Sequence, residues 1–243
     1  GLTLPVLVEA GTFASELVLT NSSGVTRTVR ASFVADGVQT PDASTVFTLQ
    51  LAPGQQAIVP NFIQTLRDSG VSGIAPPGNP LAGALFVTVD GRDVSGLFVG
   101  ARTSAPGGGG RYGLFYGGVP FGRAANSTAW LYGLQQNLET RSNLALVNTG
   151  ESDDSTDVFR IELFDGDTAA RVATIDGIAL GPRKWIQFQM ILDQYAPGTR
   201  QGYARVSRIA GSNPFIAYAV LNDGGEPGAR TGDGAYVAMD AEE

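Results

Sequence analysis

The sequence predicts an all-β fold: two tandem antiparallel β-sandwich domains of the immunoglobulin-like type. Three observations lead there. First, the chain repeats itself. At an offset of 127 positions Leu4, Leu7, Ser15, Leu17, Leu19 and Asn21 fall on Leu131, Leu134, Ser142, Leu144, Leu146 and Asn148, and self-similarity at a fixed offset marks duplicated structural units. The match continues with small drifts, "LAPG" at Leu51 meeting "LGPR" at Leu180 and "GALFV" at Gly83 meeting "GYARV" at Gly202. Second, apolar residues alternate with period two nearly throughout, as in Val29, Ala31, Phe33 and Phe159, Ile161, Leu163. Alternation bounded by Gly, Pro, Asn, Asp and Ser is the strand signal. Third, there are no helix-sized segments for the crossovers that a parallel sheet requires.

The elements follow in order. In the first repeat, strands are expected near 3–9, 15–21, 26–35, 44–51, 55–60, 83–90, 95–103 and 111–117. In the second they are expected near 128–136, 142–148, 157–164, 170–179, 184–190, 202–209, 214–221 and 234–239. Helical spacing occurs only around Phe62–Leu66 and Ile191–Tyr195, one short turn per repeat at matching positions. The "GGVPFGRAAN" stretch at 117–126 separates the repeats and gives domains 1–119 and 120–243. Asp36–Gly37 and Asp165–Gly166 are expected to form equivalent turns with at least one glycine at positive φ.

Composition narrows the chemistry. Of 243 residues 43% are apolar, enough for packed interiors, and 33 glycines with 13 prolines indicate many tight turns. Histidine and cysteine are both absent, which excludes Ser–His–Asp and Cys–His catalysis, thiolate metal sites and disulfides. The net charge is −7 and the basic residues are scattered singly. That argues against nucleic-acid partners, which need clustered cations. No apolar run approaches the 18 or so residues of a membrane span, so no membrane insertion is expected. The start at Gly1 shows no charged and apolar leader pattern, so any signal peptide is expected to lie outside this sequence, and no cofactor or metal is expected.

"WLYGLQQNLETRSNLALVNTGES", "VFRIELFDGD", "GYARV" and "FIAYAVLNDGGEPG" together resemble tandem β-sandwich repeats of large predicted secreted proteins of environmental bacteria. The resemblance covers both halves. The first half departs most, with Ala14 where the second has Arg141 and with a longer "VSGIAPPGNPLAG" loop. It implies an extracellular structural or adhesion module and carries no catalytic residues over.

Several local features compete for a function. The acidic loop 148–157, with Glu151, Asp153, Asp154 and Asp157, has the oxygen ligands that calcium takes, but it reads first as a solvated turn. "FDGD" and "NDGG" are turn chemistry before they are acid/base pairs. "APGGGGRYG" reads as a hairpin tip, since a strand rather than a helix follows it. "NSS" at 21–23 and "NST" at 126–128 match glycosylation acceptors. Trp185 is the most distinctive residue. Ile186, Phe188 and Met190 take the core face, which turns Trp185, Gln187 and Gln189 outward. An outward Trp beside amides either covers a contact with the neighbouring domain or offers a stacking platform to a ligand. Trp130, Tyr132, Tyr112 and Tyr116 are read as strand packing near the junction. The expected function is a non-catalytic extracellular or cell-surface module. The alternative is a carbohydrate-binding module on the Trp185, Gln187, Gln189 face, with a protein or carbohydrate surface as partner.

Overall fold

A computed structural model describes residues 1–35, 45–91, 93–227 and 234–242. The turn expected at Asp36–Gly37 lies outside them. The first half comprises β1 (Leu2–Ala10), β2 (Phe13–Asn21), β3 (Arg27–Val34), β4 (Phe47–Leu51), β5 (Gln56–Val59), α1 (Phe62–Asp68), β6 (Leu81–Val89), β7 (Leu97–Gly107), β8 (Gly110–Gly117) and β9 (Val119–Pro120). The second comprises β10 (Thr128–Gln135), β11 (Thr140–Asn148), β12 (Asp157–Asp165), β13 (Arg171–Leu180), β14 (Trp185–Phe188), α2 (Ile191–Tyr195), β15 (Gln201–Ala210), β16 (Phe215–Asp223), β17 (Gly234–Ala238) and β18 (Asp240–Ala241). The chain is all-β, and the paired strands run antiparallel. Every strand and both helical turns expected from the sequence are present. The two-residue strands β9 and β18 lie outside that expectation, being too short to show alternation.

Contacts divide the chain into two compact units: Gly1–Pro106 with Phe115–Arg123, and Gly107–Leu114 with Ala124–Glu243. The division in the linker thus falls at Arg123/Ala124, and the tip of the β7–β8 hairpin groups with the second unit. Strands β1 to β9 form one nine-stranded sheet in the order β4-β3-β6-β1-β2-β7-β8, with β5 beside β2 and β9 beside β1. The second unit holds two sheets, β13-β12-β15-β10-β18 and β14-β11-β16-β17. Dividing the first sheet between β1 and β2 gives β4-β3-β6-β1-β9 and β5-β2-β7-β8, the same order strand for strand. What joins the halves in the first unit is the Glu9↔Ala14 and Ala10↔Phe13 pairing. The corresponding turn of the second unit has the isolated bridge Gln136↔Arg141.

The repeated residues hold equivalent joints. Leu4, Leu7, Leu17 and Leu19 are buried in the first unit, as are Leu131, Leu134, Leu144 and Leu146 in the second. Register slips between Leu4 and Leu7 in β1 and between Leu131 and Leu134 in β10. A serine from the next strand stitches each bulge. Ser15 Oγ accepts from Val8 N at 2.7 Å and donates to Val8 O at 3.1 Å, while Ser142 Oγ does the same with Gln135 at 2.8 and 3.0 Å. Asn21 and Asn148 close the other end of β2 and β11. Their side-chain amides donate to Leu51 O at 3.0 Å and Leu180 O at 2.9 Å, the carbonyls of the "LAPG" and "LGPR" turns. The shared glycine of "GALFV" and "GYARV" marks a close approach. A Cβ on Gly83 would run into Val34 O, and one on Gly202 into Phe164 O.

One core cluster of the second unit draws on both of its sheets, including Leu131 and Val206 from one and Leu146 and Phe215 from the other. Ile186 and Phe188 pack against it, as alternation predicted. Met190 is a correction. β14 ends at Phe188, and Met190 is the left-handed residue (φ 47) that precedes α2, as Asn61 (φ 46) precedes α1. The turn after β12 also differs in detail. Asp165 Oδ1 accepts from Asp167 N, Thr168 N and Thr168 Oγ1 at 3.0, 2.8 and 2.8 Å, and its left-handed residue is Ala169 (φ 58) rather than Gly166. The Asx side chain, not the glycine, organises this turn.

Candidate functional site

Trp185 lies opposite Val147 on β11, on the face turned away from Leu144 and Leu146. It is half-buried, and its indole N–H donates to Tyr218 Oη at 2.7 Å. Tyr218 is itself buried and stacks on Tyr236 at 5.3 Å. Gln187 is half-buried opposite Ala145, and Gln189 is exposed beyond the end of the strand. The indole's one polar group therefore already has an internal partner.

The open aromatic surface is elsewhere, on the outward face of β13-β12-β15-β10-β18. On β10, Leu131 is core and its neighbours Trp130 and Tyr132 point out. On β15 the core residues Ala204 and Val206 leave Tyr203 and Arg205 outward, and on β12 Ile161 and Leu163 leave Glu162 and Phe164. Antiparallel register assembles these into two rows. One row is Trp130, Arg205 and Glu162, paired directly across three strands. The other is built on the Phe164–Tyr203 pair, whose nearly parallel rings are 5.0 Å apart. Tyr132 joins it 6.2 Å from Tyr203, and Trp130 lies 6.3 Å from Tyr132 in a plane only 2° away. Tyr132 is 50% exposed. Arg205 carries its guanidinium 5.6 Å from the centre of the Trp130 ring, within cation–π range, and the indole N–H donates to Glu242 at 2.6 Å.

Glu162 anchors the polar row. Its side chain is 3% exposed, takes a hydrogen bond from Arg171 Nη1 at 2.7 Å and from Arg205 Nε at 2.8 Å, and is also met by Arg205 Nη2. Burial alone would raise its pKa, but the two guanidinium groups outweigh burial and hold the carboxyl below its ordinary value. A depressed carboxylate stabilises the fold fully above the unfolded value and loses that contribution as pH falls through the folded one. Glu162→Gln should cost about 2 kcal/mol at neutral pH, because it leaves Arg205 against the indole without its counter-charge. It should also flatten the loss of stability below pH 4.5, the ordinary Glu value. Urea titrations of both proteins from pH 7 to 3 check this, and parallel curves would remove Glu162 from the account.

The first unit treats the same face differently. Thr3 and Pro5 stand where Trp130 and Tyr132 do, Ser32 and Val34 where Glu162 and Phe164 do, and Ala84 and Phe86 where Tyr203 and Arg205 do. All six are buried. Sequence reasoning missed the aromatic face by assigning Trp130 and Tyr132 to junction packing. The signal was present in the alternation Trp130-Leu131-Tyr132 and Tyr203-Ala204-Arg205-Val206, set against Thr3, Pro5, Ala84 and Phe86 at the aligned positions.

The remaining candidates resolve into structure. Asp153 accepts from Ser155 N at 2.8 Å, Asn213 Nδ2 at 3.1 Å and Ser212 Oγ; hydrogen bonds from Ser155 and Ser212 bring its pKa down to about 2. Asp157 is buried and accepts from Asn213 N at 2.9 Å, while Asp154 pairs with Arg183 at 2.7 Å. No group of three or more acidic side chains among the described residues is placed to hold a metal. Of the glycosylation matches, Asn21 is buried and hydrogen-bonded, and Asn126 is exposed. Arg141, 9% exposed, staples the "NDGG" turn by donating to the carbonyls of Asp223, Gly224 and Glu226 at 3.0, 2.7 and 3.2 Å. That turn borders a groove of about 810 Å3 whose lining includes Gln136, Glu139, Asp193, Arg200 and Glu226. Among the described residues no helix is long and apolar enough to cross a membrane. No protein-family model matches the chain, and no curated protein is similar to it.

Proposed function

We propose that the chain is a non-catalytic adhesion module of a larger extracellular or cell-surface protein. On this reading it is built from two tandem immunoglobulin-like sandwiches and contacts a saccharide through the Trp130, Tyr132, Tyr203 face. The observation that carries the reading is the contrast between equivalent faces: buried in the first unit, partly exposed and aromatic in the second. A half-exposed tyrosine parallel to Trp130 and bordered by arginine and glutamate offers stacking for the C–H face of a sugar and hydrogen bonds for its hydroxyls.

The sandwich reading is supported by strand order. In an immunoglobulin domain the C, F and G strands form one sheet, extended by C′ in the variable type, and A, B, E and D form the other. Here β5-β2-β7-β8 reads as C′-C-F-G and β9-β1-β6-β3 as A-B-E-D, with β4 as an added edge. Chain order departs in two places. The C′-like strand follows the D-like one, and the A-like strand is supplied last.

The test is titration calorimetry of the full chain against cellohexaose, chitohexaose and xylohexaose. At least one should bind, and Tyr132→Ala should weaken that binding about tenfold, as loss of a stacked ring of about 1.4 kcal/mol would. Unchanged binding in Tyr132→Ala would remove this face. Release of new reducing ends would overturn the non-catalytic reading and direct attention to Glu139, Asp193 and Glu226 in the groove.

A further inference from the structure

The first unit has its own exposed ring pair, on the outward face of β5-β2-β7-β8. Phe98 on β7 and Phe115 on β8 are 45% and 50% exposed, with ring planes 4° apart and centroids 6.2 Å apart. Gly100 makes room for both. A Cβ there would stand 2.6 Å from Phe115 Cζ and 2.9 Å from Phe98 Cζ, so both ring tips converge over the bare backbone of one residue. Ile58, 51% exposed, extends the surface across the sheet, because Val18 pairs with Ile58 on one side and with Gly100 on the other. In the second unit Tyr218 occupies the place of Gly100, and it is buried under the hydrogen bond from Trp185. The same sheet position is thus filled and closed in one unit, and emptied and flanked by exposed rings in the other.

We propose that the Phe98–Phe115 pair is a second, independent saccharide-binding site, taking the apolar face of β-linked pyranose units. Two observations choose this occupant over another protein. The first is area. Three residues of roughly 200 Å2 each, about half exposed, present on the order of 300 Å2, well under the ~800 Å2 per partner of a stable protein interface. The second is the border. Thr20 and Gln56, hydrogen-bonded to each other at 3.0 Å, and the Glu16↔Arg102 pair all lie on the same face as the rings. They place hydroxyl, amide and charged groups around an apolar floor, the pattern that suits a polyol with one C–H face. The site stands on its own geometry and does not depend on the Trp130 face.

The experiment is calorimetry of four full-length chains with the same three hexasaccharides: wild type, Tyr132→Ala, Phe98→Ala/Phe115→Ala and the combination. Two sites per chain are expected for wild type. The phenylalanine double variant should lose one of them and leave the other's affinity unchanged, and the combination should keep only the other site, weakened about tenfold. Gly100→Ala, which keeps both rings but raises the floor beneath them, should weaken the same site about tenfold. Identical stoichiometry in wild type and the phenylalanine variant would overturn this site whatever happens at Tyr132. A concentration-dependent dimer in sedimentation that disappears in the phenylalanine variant would overturn it in favour of a second copy of the chain. Retained binding in Phe98→Ala/Phe115→Ala with loss in Tyr132→Ala would leave only the other face.

Discussion

Gly202→Ala is expected to destabilise the second unit by about 3 kcal/mol, the upper range for forcing an extra carbon into packed structure. The reason is steric. Gly202 is not among the glycines at positive φ, so alanine could adopt its backbone angles. The obstacle is Phe164 O, a backbone atom that a Cβ would strike, with Leu192 Cδ2 3.8 Å away. Relief requires opening the β12–β15 ladder, where Gly202 pairs with Asp165 at its end. Gly177→Ala is the control of opposite kind. Gly177 has φ 70, and a Cβ added there would meet nothing within 4 Å, so its cost should be about 1 kcal/mol of backbone strain alone. Both tryptophans, Trp130 and Trp185, belong to the second unit, so urea unfolding followed by tryptophan fluorescence reads the effect directly. Equal small losses at both positions would mean that the close approach at Gly202 is not maintained. Gly83→Ala, read by circular dichroism, should repeat the large effect in the first unit through Val34 O.

Much of this architecture is legible in the sequence because the repeated residues are those whose geometry tolerates little else. Leu17 and Leu19 announce a buried face by alternation, and Ser15 and Asn21 recur where a side chain bonds backbone atoms at a bulge and at a strand end. Strand positions follow from the pattern alone. The short strands β9 and β18 do not, since two residues cannot display a period of two. Met190 departs from its expected place on the core face because alternation says nothing about where a strand stops. The break after Phe188 is set by a left-handed turn, signalled only by the alignment with Asn61.

The candidate surface is less legible, and for a physical reason. Trp185 stands out as a lone large residue aligned with Gln56, but its indole N–H is held by Tyr218, thirty-three positions away. Pairing across strands, not proximity in sequence, also brings Trp130, Glu162 and Arg205 together. Alternation does say which way each of those side chains points. It cannot say which face will be covered, and the aligned first-unit residues, small or apolar, are the available hint that the two faces have diverged.

The two structural asparagines give the sharpest separate test of the repeat. Asn21 is wholly buried, and its Nδ2 donates toward three carbonyls, Val25 O at 2.8 Å, Leu51 O at 3.0 Å and Ala52 O at 3.1 Å. Its Oδ1 accepts from Ser23 N at 3.1 Å and Ser23 Oγ at 2.6 Å. Asn148 is equally buried and makes a smaller set, Nδ2 to Leu180 O at 2.9 Å and Oδ1 from Gly150 N at 3.0 Å. Each buried backbone group left without a partner costs about 1–3 kcal/mol. Asn21→Ala should therefore cost about 3–4 kcal/mol and Asn148→Ala about 2 kcal/mol, each in its own unit. Asn21→Asp should be worse than alanine at pH 7, since it replaces a donor amide with a charge facing carbonyl oxygens. Desolvation and those acceptors both favour the protonated acid, so that variant should regain stability as pH falls, opposite in sign to the loss at Glu162. Urea midpoints at pH 7 and pH 4.5 check both points. If Asn21→Asp is as stable as Asn21→Ala at pH 7 and gains nothing on acidification, Nδ2 is not the atom that closes the β2 end, and the common role assigned to Asn21 and Asn148 fails with it.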